Sequence, residues 1–167
     1  MGSYREDYYR RIYAKTASLF EASTTTAAIL SNANGHVMTS LKKYGYEIGM
    51  AFQIIDDILD FTSEQTTMGK PVASDLRQGL ITLPVLYYLE NHPNDEDMRN
   101  ILESNFCDEN CLGRLLDSIR ESGAIKLSLD EARQSVQKGL DALTKLPDSD
   151  ERKALEDLAS YIVDREI

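Results

Sequence analysis

Asp56, Asp57 and Asp60, with Gln53 one turn before them, are the residues whose types and spacing most directly suggest chemistry. An α-helix advances ~100° per residue, so Asp60 lies ~40°, Gln53 ~60° and Asp57 ~100° from Asp56 around the axis. All four share one arc of about 100°. Phe52, Ile54, Ile55, Ile58, Leu59 and Phe61 fall outside it. A solvated acidic face of an amphipathic helix is the simpler explanation of such a run. Two features weigh against it. No Lys or Arg stands three or four residues from any of the three aspartates. Asp56 and Asp60 are instead a like-charge i,i+4 pair, which costs roughly 0.2–0.5 kcal/mol, and Asp is a poorer helix former than Glu. A short carboxylate held near the backbone suits a hard cation. Mg2+ takes oxygen ligands at about 2.0–2.1 Å and keeps waters and substrate phosphate beside a few carboxylates. The stripe therefore reads as half of a magnesium–diphosphate site.

Such a stripe needs a long helix, and the chain is patterned for helices throughout. Apolar residues recur at helical spacing, and no long alternating stretch is bounded by hairpin turn residues. The expected fold class is all-α. A first helix is predicted over about Ser3–Ser31, stopped by Asn32-Ala33-Asn34-Gly35, because Asn and Gly tolerate the left-handed conformation. A second, over about His36–Phe61, carries the carboxylates. Thr62–Pro71 reads as a polar loop. Ser74–Asn91 reads as mostly helical, with Pro84 at a start or kink, and His92-Pro93-Asn94-Asp95 breaks it. Shorter helices are predicted near Glu96–Ser104, Asp108–Ser122, Ala124–Lys145 and Ser149–Arg165. Gly123 and Leu146-Pro147-Asp148 separate them, and Ser149 is an N-cap candidate. Between Thr16 and Ser40 the one charged residue is Glu21, in a chain that is 28% charged. That Thr-, Ser- and Ala-rich stretch predicts a core helix, buried on most sides and in close contact with its neighbours.

The Asn34-Gly35 turn lets the first two helices pack antiparallel. Lys15 precedes Gly35 by twenty residues and Asp56 comes twenty-one after it. At ~1.5 Å per residue both lie roughly 30 Å from the turn. Lys15 and Thr16 are thus expected level with Gln53 and Asp56. Lys15 could neutralise the aspartates as a buried ion pair, or bind a phosphate that the metal also binds; spacing leaves both open. Beyond the stripe comes Gly69-Lys70-Pro71, then Ser74-Asp75-Leu76-Arg77-Gln78-Gly79. This is either a surface loop and a helix capped by Ser74 or Asp75, or a loop that returns Lys70 over the metal end. It is not a P-loop, which needs a longer Gly-rich run before its Lys.

Length and charge bound the rest. The 167 residues suit one domain. Lys plus Arg is 18 against 28 Asp plus Glu, a formal charge of −10, which argues against a nucleic-acid partner. No run of about 18 apolar residues occurs, so no membrane span is expected. Met1-Gly2-Ser3 is expected to be an expression remnant, which places the domain at 4–167, and no signal peptide is recognisable. Cys107 and Cys111 lack further ligands, and His36 and His92 stand alone. They read as ordinary thiols rather than a zinc site, in a soluble cytoplasmic protein.

Together these blocks resemble the trans-isoprenyl (polyprenyl) diphosphate synthases. Gly49-Met50-Ala51-Phe52-Gln53-Ile54-Ile55-Asp56-Asp57-Ile58-Leu59-Asp60-Phe61 resembles that family's second aspartate-rich motif. Met68-Gly69-Lys70-Pro71 to Asp75-Leu76, with Thr82-Leu83-Pro84, resembles its next block, and Lys15-Thr16-Ala17 its Lys-Thr motif. Leu146-Pro147 and Leu158-Ala159 to Arg165 resemble its C-terminal helices. Asp60-Phe61-Thr62 and Gly69-Lys70-Pro71 are closer to the long-chain subgroup than to the farnesyl enzymes. The resemblance implies a helical bundle around a deep cavity, and head-to-tail condensation of isopentenyl diphosphate with an allylic diphosphate. It implies that Asp56, Asp57 and Asp60 bind Mg2+, directly or through water. Lys15 and Lys70 would bind the allylic diphosphate, and Thr16 and Gln53 would present oxygens to the developing cation. Leu80 stands where many members of that family carry a Lys that would contact diphosphate.

The departure from the pattern is length. The sequence corresponds to the C-terminal half of the family's domain, and no second Asp-Asp-x-x-Asp occurs. The chain alone is therefore expected to be inactive. It reads either as a C-terminal fragment of an ordinary synthase or as a subunit that completes its site with a separate chain. Helix faces that should meet the missing half are expected to drive self-association or binding of that half. Terpene cyclases share the chemistry but fit the Lys-Thr and Gly-Lys blocks poorly. A non-catalytic helical scaffold is the other alternative.

Overall fold

A computed structural model describes residues 2–62, 72–104 and 108–164. Every regular element among them is helical. The first predicted helix is a continuous helical run divided into α1 (Gly2–Ile12), a π-helical turn (Tyr13–Ala17) and α2 (Ser18–Leu30). Asn32 ends it with φ 52°, the left-handed stop its side chain tolerates. Asn34 Oδ1 then accepts from the amides of His36 and Val37 at 3.1 and 3.0 Å and opens α3 (Gly35–Thr62). Of the predicted loop Thr62–Pro71, Thr62 ends α3 and 63–71 lies outside the described residues. Beyond it are α4 (Ser74–Arg77), α5 (Leu83–Asn91), α6 (Glu96–Ser104), α7 (Glu109–Glu121), α8 (Ala124–Leu143) and α9 (Asp150–Val163).

One compact unit comprises Tyr9–Ile55 and Leu129–Glu166. Its α2–α3 contact is set by two glycines. A Cβ on Gly45 would sit 2.2 Å from Thr24 Oγ1 and 2.6 Å from the Phe20 carbonyl oxygen; one on Gly49 would sit 2.6 Å from Ala17 Cα. Paired this way, α2 and α3 run antiparallel, as predicted. The hydroxyls of Ser23, Thr24 and Thr25 turn back to carbonyls of their own helix, so they are satisfied without a partner across the interface. Gly139 of α8 rests against Ile48, where an added Cβ would be 3.1 Å from Cδ1. Tyr44 Oη donates to the Leu155 carbonyl at 2.7 Å and ties α9 to α3. Ser149 caps α9 by accepting from the Arg152 amide, as its sequence predicts.

Burial of α2 departs from expectation. Leu19, Ile29 and Leu30 are 70%, 55% and 77% exposed, and Ala22, Ser23, Thr26 and Ala27 are exposed with them. The lack of charge marks a face compatible with burial. It carries no information on whether this chain supplies the cover, and among the described residues of this unit none does.

The other unit comprises Met1–Tyr8 and Asp56–Ser128. Its core gathers Phe61, Leu76, Val85, Tyr88, Met98, Leu112, Leu115 and Ile119. Asp95 and Asp108 cap α6 and α7, each accepting from an amide three residues on at 2.7 Å. The predicted helical stretch Ser74–Asn91 is two helices, because Gly79 turns with φ 73° and Thr82 is extended ahead of Pro84 in the first turn of α5. Cys111 is disulfide-bonded rather than the free thiol expected of it. No described helix is long and apolar enough to cross a membrane.

Candidate active-site residues

The last turns of α3 carry the carboxylates, and their three side chains meet different surroundings. Asp57 is 3% exposed, and its Oδ2 accepts from the phenol of Tyr8 at 2.9 Å. Tyr8 is itself fully buried. Asp56 is half-buried. Asp60 is half-buried and accepts two backbone amides, from Ser74 to Oδ1 at 3.1 Å and from Asp75 to Oδ2 at 3.0 Å. The Asp60 main-chain oxygen takes a third, from Ala73 at 2.8 Å. The start of α4 is therefore capped by Asp60, not by Ser74 or Asp75 as predicted. Ala73 occupies the N-cap position with φ 54° and has no capping side chain, so a carboxylate from the preceding helix takes that role. The guanidinium of Arg120 closes the same end, donating through Nε and Nη2 to the Phe61 carbonyl at 3.0 and 2.8 Å.

This arrangement concentrates negative charge. Burial pushes the Asp60 carboxyl above its ordinary pKa, the amides of Asp75 and Ser74 pull against that, and the charges of Asp75 and Asp56 push it further up. Among the described residues, the charges of Asp75 and Asp56 that act on Asp60 are both negative. Among the described residues no group of three or more His, Cys, Asp or Glu side chains forms a metal cage. An ion at this end would have to take its remaining ligands from groups other than the described side chains.

In the other unit the Lys-Thr pair lies in the π turn. The Ser18 amide reaches back five residues to the Tyr13 carbonyl, and the Ser18 hydroxyl lies 3.4 Å from the Ala14 carbonyl. An extra residue in one turn rotates the rest of the helix relative to an unbroken α-helix, and such turns are frequent at functional sites. Thr16 Oγ1 donates to Gln53 Oε1 at 2.6 Å, which is the register predicted from the Asn34-Gly35 turn. Gln53 is 2% exposed. Donation commits the Thr16 proton and leaves the lone pairs of its oxygen free to accept. Lys15 is exposed and forms no ion pair among the described residues. Its ammonium is thus no part of a buried ion pair within its own unit among the described residues. Lys70 lies outside the described residues. Leu80 is 38% exposed.

Three features here escape sequence reasoning. The Tyr8–Asp57 bond joins residues 49 apart, the Arg120–Phe61 bond joins residues 59 apart, and the π turn has no composition signal. Only an aromatic beside a charged segment, as Tyr8 is, could have marked the first.

Residues 3–119 match the polyprenyl synthetase family. Solanesyl diphosphate synthase 2, chloroplastic, of Arabidopsis thaliana is 41% identical over 160 residues, covering 96% of this chain and 38% of that protein. The crystal structure of heptaprenyl diphosphate synthase from Staphylococcus aureus is similar with a TM-score of 0.89 and 35% identity, covering 96% of this chain and 50% of that one. Polyprenyl synthase from Caulobacter crescentus CB15, complexed with calcium and isoprenyl diphosphate, is similar with a TM-score of 0.87 and 34% identity, covering 96% and 49%. The chain thus spans half or less of the length of these relatives.

Proposed function

Because this chain belongs to the polyprenyl synthetase family, we propose that it supplies the C-terminal half of the active site of a long-chain trans-prenyltransferase. The reaction is magnesium-dependent ionisation of an allylic diphosphate, attack by isopentenyl diphosphate and loss of a proton. The observation that carries the reading is the acidic end of α3, where half-buried Asp56 and Asp60 stand one turn apart and Asp60 accepts the amides of Ser74 and Asp75. Like-charged carboxylates on a half-buried helix end fit a hard cation. When bound, Mg2+ supplies the charge that neutralises the departing diphosphate.

The chain's own residues divide the remaining tasks. Asp56 and Asp60, with Asp57 behind them, hold the cation directly or through water. Lys15, an exposed ammonium, binds phosphate oxygens, with Lys70 as the second cation proposed for the same group. Thr16 and Gln53 turn acceptor oxygens to positive charge developing on the allylic carbon; fixed dipoles of that polarity stabilise it because they need no reorganisation. The chain alone is inactive in this reading, since the opposing carboxylates lie in the half it lacks. The uncovered face of α2, with Leu19 and Leu30 exposed, supports association with that half, as one polypeptide or as a separate subunit, or with a second copy. We keep a cytoplasmic location with this reading, to be tested by fractionation.

Calorimetry with Mg2+ and an allylic diphosphate tests it, on this chain and on Asp56→Ala. Binding that needs both metal and Asp56 is expected. Equal binding by the variant, or prenyl transfer by the chain alone, would refute the corresponding part. Addition of the N-terminal half of a long-chain synthase should restore prenyl transfer.

A further inference from the structure

The reading of α3 as a cation-binding helix end leaves one buried contact unexplained. Tyr8 is 0% exposed and Asp57 3% exposed, yet a phenol and a carboxylate meet there at 2.9 Å. Burying a carboxylate is costly unless its oxygens are hydrogen-bonded, and an apolar pair of the same shape would fill this space without that cost. A charge kept in a core is a candidate for a role outside the core.

Neighbouring geometry suggests the role. Asp57 sits between Asp56 and Asp60 in sequence. Around the helix it is ~100° from the first and ~60° from the second. One of its oxygens, Oδ2, accepts from the phenol. That bond selects a rotamer for Asp57 and resists rotation of the last turns of α3 about their axis. Asp60 is fixed independently by the amides of Ser74 and Asp75. Tyr8 and the start of α4 thus hold Asp57 and Asp60 by separate contacts.

We propose that Tyr8 is a positioning residue for the carboxylate end of α3: its O–H orients Asp57 and so sets the geometry in which the aspartates meet a divalent cation and its diphosphate. This rests on the proposed function. Tyr8 itself touches neither metal nor substrate.

The test is calorimetry on this chain with an allylic diphosphate, with and without Mg2+, alongside thermal unfolding. Tyr8→Phe keeps the ring in the core and removes the hydroxyl. The expected result is a five- to tenfold rise in the Mg2+ concentration for half-maximal diphosphate binding, with metal-free binding and cooperative unfolding retained. Adding Tyr8→Phe to Asp57→Asn should shift the metal requirement no further than Asp57→Asn alone, because one contact has already been altered. A Mg2+ requirement within twofold of the unaltered chain overturns the inference. So does an equal loss of metal-free and metal-dependent binding, which would mean general loosening. If Tyr8→Phe does not fold, 3-fluorotyrosine at position 8 keeps the ring and O–H but changes donor strength; an unmoved metal requirement then overturns the inference. Failure of the unaltered chain to bind would instead refute the proposed function, and this inference with it.

Discussion

Adding one methyl group at Gly49 should strike the fold and the candidate site together. A Cβ there would lie 2.6 Å from Ala17 Cα and 3.0 Å from Ala17 Cβ and Phe20 Cβ. Carbon atoms rest at about 3.5 Å or more, so the closest contact is short by about 0.9 Å. The obstruction is a helix backbone, not a flexible side-chain end, so α2 and α3 must separate. Overpacking of this kind costs about 1–3 kcal/mol, and the better helix propensity of Ala returns about 1 kcal/mol. A net loss of up to about 2 kcal/mol is expected for Gly49→Ala. The same separation matters one turn away, where Thr16 Oγ1 and Gln53 Oε1 are 2.6 Å apart. Stretching that pair by ~0.9 Å takes it to the limit of hydrogen bonding. Gly113→Ala is the control. It lies within α7, and nothing stands within 4 Å of the added Cβ. It should gain about 0.5–1 kcal/mol from propensity alone. Urea unfolding monitored by helical circular dichroism gives both numbers. Gly49→Ala must be the less favourable of the two. If Gly49→Ala stabilises as Gly113→Ala does, the close α2–α3 approach is wrong, and the placement of Thr16 against Gln53 loses its support.

Three further outcomes are expected. Thr82 is 2% exposed, and its hydroxyl has no hydrogen-bond partner among the described residues, so Thr82→Val should stabilise the fold by about 1 kcal/mol; a loss of that size in urea titration would mean that the hydroxyl is satisfied. The folded-state pKa of Asp60 is raised, first by burial, so the folded chain holds this proton more tightly than the unfolded one. Its contribution is present below the ordinary carboxylate pKa of about 4 and is lost as pH rises through the folded value. Asp60→Asn should remove that downward slope from stability measured against pH, and an unchanged slope would assign it to another group. Leu30 is 77% exposed, so Leu30→Glu should leave the unfolding midpoint within experimental error while reducing self-association measured by sedimentation. A large loss of stability would place Leu30 in a core instead.

Much of this protein is local, and local features are legible in the sequence. The stop at Asn32 to Gly35 comes from residues that tolerate the left-handed region or cap with a short side chain, and both devices are present. The helical class comes from apolar spacing. The register of Thr16 against Gln53 comes from counting equal lengths of helix from one turn. The grouping of Asp56, Asp57 and Asp60 on one arc is a consequence of helix geometry, and its resemblance to a prenyltransferase motif rests on residue identity alone.

Tertiary packing decided what each of those residues does. One arc of three like side chains became a buried, phenol-held Asp57, a half-buried Asp56, and an Asp60 that caps the next helix. Sequence could not separate them, because the donors come from Tyr8, Ser74 and Asp75, at distances along the chain that no local pattern reaches. The same limit applies to the cap of α4, where Ser74 and Asp75 have the right chemistry but Asp60 is nearer to the free amides. It also applies to Lys15, whose helical position is countable but whose exposure depends on what packs around it. The uncharged α2 shows it most plainly. Composition records that a face tolerates burial, and only the folded chain shows whether a neighbour covers it.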